Sequence, residues 1–178
     1  MVINVSIGVP LMQTYSALIF TYYGVTDSSA LLLSVFYPIL QLIPVMIPTR
    51  VNVSRKILVL GGYFVSIKIQ FLLLLTSSYP YLPQEHQMIA MAVLLLALSI
   101  SFIIPCNTAL CILFEQFDNG NVKTASKSRS VMWLLASIST LTFAKTLDSY
   151  GFTVALFPYF LISVVCFSLM FFIFPSKR

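Results

Sequence analysis

Residues 114–133, FEQFDNGNVKTASKSRSVMW, form the longest polar interval of the chain, and the reading of the fold starts from them. Lys123, Lys127 and Arg129 lie in this interval, between two long apolar blocks. Lysine and arginine resist translocation, so a basic connector between membrane-length apolar blocks reads as a cytoplasmic loop. Every other connector can be given a side by counting crossings away from it.

The composition leaves one solvent. Of 178 residues, 59% are hydrophobic and 8% charged, and the mean hydropathy is +0.97. Soluble domains run roughly 45–50% apolar and about 25% charged. Too few charged side chains remain to cover a water-facing surface, so 1–178 reads as a single membrane domain in a lipid bilayer, with no soluble domain. The net charge of +5 does not point to nucleic acid, because the basic residues flank apolar blocks and do not cluster with exposed aromatics. No basic n-region opens the chain and Pro10 interrupts the first apolar block, so a cleavable signal peptide is not expected.

A helix needs roughly 20 apolar residues to cross a bilayer. Six blocks meet that length, at about 4–23, 28–48, 57–76, 88–113, 130–147 and 151–174. They are joined by GVTDSS, TRVNVSRK, SSYPYLPQEHQ, the 114–133 interval and a tight turn at Asp148–Gly151. The blocks are continuously apolar, unlike the short alternating segments of a membrane barrel, and a spanning helix satisfies its own backbone. The expectation is an all-α polytopic membrane protein with six transmembrane helices and both termini cytoplasmic. Charge agrees with that count. Arg50, Arg55, Lys56, Lys123, Lys127, Arg129, Lys177 and Arg178 all fall on one side, while Asp27, Glu85 and Asp148 fall on the other.

Polar residues inside the blocks are the next signal. Lys145 lies near a block end and can snorkel. Lys68 is deeper, in YFVSIKIQF, where a charge is costly and marks a cavity, a partner or a packing position. Gln41 and Gln70 read as interhelical hydrogen-bonding residues. Pro10, Pro38, Pro44, Pro105 and Pro158 each remove a backbone donor from a block, and Pro10 beside Gly8 is the best candidate for a functional break.

No catalytic constellation is legible, so an enzyme is not expected. His86 is the single histidine and lies in a connector; Cys106, Cys111 and Cys166 lie in apolar blocks with no CxxC spacing and read as small apolar fillers. No metal site and no cofactor are called for. The acids all sit at block ends or in connectors, which suits passive transport better than proton coupling.

Several stretches together resemble one family. SIGVPLMQTYSALIFTYYGV, 6–25, is similar to the first helix of the C-terminal half of sugar porters, the facilitative glucose-transporter branch of the major facilitator superfamily. Ser54-Arg55-Lys56 falls on that family's G-R-R, and Phe114-Glu115-Gln116-Phe117 resembles its A-E-x-F, with Arg129 and Trp133 in the helix start that follows. The ending FFIFPSKR resembles F-x-x-P-E-T-K-G. The likeness runs over nearly the whole chain and rests on the order and spacing of motifs that are individually weak.

The resemblance implies half of a major-facilitator fold, facilitative transport of a hexose or related sugar, and a plasma-membrane location. Substrate contacts would come from Asn4, Tyr15 and Trp133, with Gln13 and Asn107 as further polar candidates that do not fall on family contact positions, and an inner gate from Arg55 paired with Glu115. The chain departs from the pattern elsewhere. The family's paired glutamines fall on Asn4 and Val5, its following asparagine on Pro10, its second-helix asparagine on Ile39 and its fourth-helix tryptophan on Leu110. Transporters of this type bind solute between two halves. The expectation is therefore a piece of a longer chain, a partner in the form of a second six-helix half or a homodimer, or a non-transporting membrane subunit.

Overall fold

The computed structural model describes residues 2–46, 53–79, 81, 83–117 and 122–173. Every regular element among the described residues is a helix. The block expected as one helix at 4–23 is three: α1 (Val2–Ser6), α2 (Val9–Thr14) and α3 (Ser16–Tyr22). The first break has a plain cause. Gly8 adopts φ 76°, a left-handed conformation that costs a glycine little, and Pro10 offers no N–H at the start of α2. The second is slight, because the Tyr15 N–H still bonds the Leu11 carbonyl at 2.9 Å and the Tyr15 carbonyl accepts from Ile19 N–H at 2.9 Å. α3 then closes as a Schellman cap. Val25 N–H reaches the Phe20 carbonyl and Gly24 N–H the Thr21 carbonyl, both at 3.0 Å, with Gly24 at φ 89°.

α4 (Asp27–Val45) turns Ala30 inward and leaves Leu31, Val35 and Leu42 exposed. α5 (Arg55–Ser78) is capped by Ser54, whose Oγ accepts from Ile57 N–H. α6 (Gln84–Phe117) runs 34 residues, roughly 50 Å at about 1.5 Å per residue. α7 (Val122–Ile173) runs 52 residues but is not straight. Gly151 stands at φ 82°, ψ 175°, outside the helical region. The two arms fold back on each other there, because Tyr159 donates to the Ser139 carbonyl at 2.9 Å and its ring packs on Phe143. Twenty residues of straight helix would put the first pair roughly 30 Å apart. The turn expected at Asp148–Gly151 is thus made by one glycine.

The 114–133 interval is helical to Phe117 and again from Val122, with 118–121 outside the described residues. Polarity does not stop a helix, and Lys, Ala and Arg sustain one. Arg129–Phe172 within α7, Arg55–Ser78 and Gln84–Ile112 are each long and apolar enough to cross a membrane.

The core lies where α5 meets α6 and α7. Gly62 of α5 sits against Pro105 of α6, and Phe71 stacks on Phe160 with centroids 5.7 Å apart. Tyr63, Phe20, Phe143, Phe152 and Leu98 are fully buried around these contacts, and α1 packs on α7. The faces turned away from the bundle stay apolar, with Leu42 67% and Leu141 74% exposed. Water-soluble monomers rarely leave such surface uncovered.

Candidate functional site

Helical spacing puts Val59, Tyr63, Ser66, Gln70, Leu73 and Ser77 on one face of α5, and this face carries the polar contacts of the bundle interior. Tyr63 donates its hydroxyl to Asn4 Oδ1 in α1. One turn on, Ser66 donates to the Gly62 carbonyl at 2.9 Å and lies 3.2 Å from the Ser101 hydroxyl of α6. Near the helix end Ser77 pairs with Thr153 of α7 at 2.8 Å. Between these layers Gln70 is 0% exposed, and neither its Nε2 nor its Oε1 has a hydrogen-bond partner among the described residues. Gln41, in α4, does find one: its Nε2 donates to Ser99 of α6.

The residues nominated by sequence fall in different settings. Asn4 is buried and held by Tyr63. Tyr15 is half-buried, donates to the Thr140 carbonyl at 3.1 Å and lays its ring 5.8 Å from Phe143. Gln13 is half-buried at the end of α2, where its carbonyl accepts from Ser16, and Asn107 is half-buried on α6 beside the buried Thr108. Trp133 stands apart, 61% exposed on α7. Arg55 opens α5 and is exposed; Glu115 is in the last turn of α6, and its side chain lies outside the described residues, so their pairing does too. Lys68 is exposed, with its ammonium 4.5 Å from the Phe64 ring centroid, a cation–π distance.

A second polar place was not nominated. Where α3, the last turn of α5, the first turn of α6 and the turn of α7 meet, a cavity of about 460 Å³ opens between Tyr22, Ser77, Gln84, Gln87, Tyr150 and Thr153. Its signal in the sequence was the crowding of amide, hydroxyl and tyrosine side chains into the connectors SSYPYLPQEHQ and DSYGFT. Among the described residues no three His, Cys, Asp or Glu side chains gather to hold a metal. No protein-family model, curated protein or solved structure matches the chain.

Proposed function

We propose that the chain is a six-crossing membrane domain of the sugar-porter type, half of a major-facilitator fold, that passes a hexose or related sugar by facilitative alternating access. The six crossings would be the broken α1–α3 segment, α4, α5, α6 and the two arms of α7. The observation that carries the reading is the halted helix at Gly8. It lies in the same short segment as the buried Asn4–Tyr63 pair, so a helix break and side-chain polar groups share one part of the interior. Discontinuous helices beside buried polar groups are how many carriers present hydrogen-bonding groups to solute. The row of hydroxyl and amide groups along α5 supports the same reading, since sugar needs convergent polar groups.

Alternating access needs a second six-helix body, either a separate half or a second copy. Uptake of labelled hexose into proteoliposomes, with the chain alone and with an added N-terminal half, tests the reading. Uptake in either setting supports it; none in both, with folded protein in the bilayer, ends it. Within the same assay, reversing Arg55 and Glu115 together should preserve uptake better than reversing either alone.

A non-transporting membrane subunit is the second reading. It is favoured by Asn4 and Tyr15 being committed to Tyr63 and Thr140, and by the exposure of Trp133. A stoichiometric helical partner that co-purifies with the chain, in the absence of uptake, would select it.

A further inference from the structure

We infer that the cavity between Tyr22, Ser77, Gln84, Gln87, Tyr150 and Thr153 binds a neutral polyhydroxylated small molecule of sugar or cyclitol type. Its volume, about 460 Å³, falls within the roughly 300–1,000 Å³ of small-molecule sites. None of the six side chains is charged, so nothing in the lining compensates a phosphate or a carboxylate. The groups present are amides, hydroxyls and phenols, which donate and accept at once and match the alternating demands of vicinal hydroxyls.

The placement is built by the backbone. Gln84 and Gln87 are three residues apart on the first turn of α6 and so share a face. Gln87 uses one N–H on the Thr76 carbonyl at 3.1 Å, which fixes its amide and leaves its Oε1 and second N–H for a ligand. Two glycines make room for the polar side chains. A Cβ at Gly24 would meet Gln84 Nε2 at 2.9 Å, and a Cβ at Gly151 would meet the Tyr22 hydroxyl at 2.9 Å. The Tyr150 ring is largely exposed and free to lie along the apolar C–H face of a sugar ring, while the Tyr22 ring is held edge-to-face against Tyr23. The Ser77–Thr153 pair supplies the remaining hydroxyls.

The inference deepens the transport reading and rests on it for the ligand's role, which would be capture at one end of the path; the binding itself does not require transport. In phosphatidylcholine nanodiscs, saturation-transfer NMR and calorimetry with D-glucose, myo-inositol and glucose 6-phosphate test it. The two neutral compounds should bind, and the phosphorylated one about tenfold more weakly. Gln84→Ala and Tyr150→Ala remove exposed side chains, so helical circular dichroism should be unchanged while affinity falls about tenfold in each. Leu141→Ala, on the outer face of α7, should change nothing. No saturation transfer to either neutral compound at millimolar concentration would overturn the assignment. So would undiminished binding in the Gln84→Ala, Tyr150→Ala double variant. The two readings separate cleanly: cavity-dependent binding without uptake retains the cavity and removes transport. Uptake and binding both untouched by the double variant remove the cavity and retain transport.

Discussion

Gly62 lies so close to Pro105 that a β-carbon at position 62 would stand 2.7 Å from the proline Cδ. The neighbouring Gly61 has open space around its Cα, so the two glycines of one dipeptide have opposite tolerances. Gly62→Ala should destabilise the folded chain by about 1–3 kcal/mol through overpacking of α5 on α6. Gly61→Ala should be neutral or raise stability by about 0.5–1 kcal/mol, because alanine is the better helix former. Reversible unfolding in mixed micelles distinguishes them, and equal effects at both positions would contradict the α5–α6 packing described above.

Gly151 stands at φ 82°, ψ 175°, a region reached almost only by glycine. Gly151→Ala should cost about 1–3 kcal/mol. It should also push Tyr22 away, because its hydroxyl lies 2.9 Å from the new methyl position. Cysteines placed at 139 and 159 and bridged by a short bis-maleimide would report the hairpin: ready bridging in the parent and slower bridging in Gly151→Ala.

Gln70 is buried with both amide atoms unpaired among the described residues. An unsatisfied buried amide costs about 1–3 kcal/mol, so Gln70→Leu should stabilise the chain by that order. Gln41→Leu should do the reverse, since it orphans Ser99, which is also buried. Opposite signs in unfolding midpoints check the pair; loss of stability in both variants would mean that Gln70 is satisfied by water.

Lys68 sits on the outward face of α5, about midway along it. If lipid covers this face, Lys68→Leu should favour insertion of the isolated α5 segment by about 2.5–3.5 kcal/mol in a glycosylation-mapped translocation assay. In the assembled protein the same change should weaken association with any second body that contacts this face, read by crosslinking at Phe64.

Sidedness is checked by single cysteines at 127 and 81. The proposed six crossings place these positions on opposite sides of the bilayer, so an impermeant maleimide should label one from each side of sealed vesicles. Labelling of both from the same side would remove the six-crossing reading.

The helices were legible in the sequence because hydropathy measures length, and length is what a helical block has most plainly. α4 from 27, α5 from 55 and the turn at Gly151 fall close to where the apolar runs and the glycine put them. Pro10 with Gly8 likewise signalled the break in the first block, since both residues act on the backbone locally. Facing was not legible. Gln41 and Gln70 read alike as interhelical partners, yet one meets Ser99 and the other meets no described partner, a difference set by what the neighbouring helices present rather than by residue type. Trp133 was nominated through resemblance and stands on an outer face for the same reason. The polar cavity was missed because its side chains come from segments that are distant in the chain and close only after folding.

The hydrogen bond from Tyr15 to the Thr140 carbonyl joins residues 125 positions apart, and α1 likewise packs on α7. α1 and α2 are therefore translated well before the element on which they seat. Until the final arms emerge from the ribosome, Ile3, Ile7 and Met12 have no permanent neighbour from α7, and the half-made chain must be sheltered by the insertion machinery or by lipid. A stop codon before residue 122 should accordingly leave a product that is cleared by quality control, even though six of the seven helices among the described residues are already made.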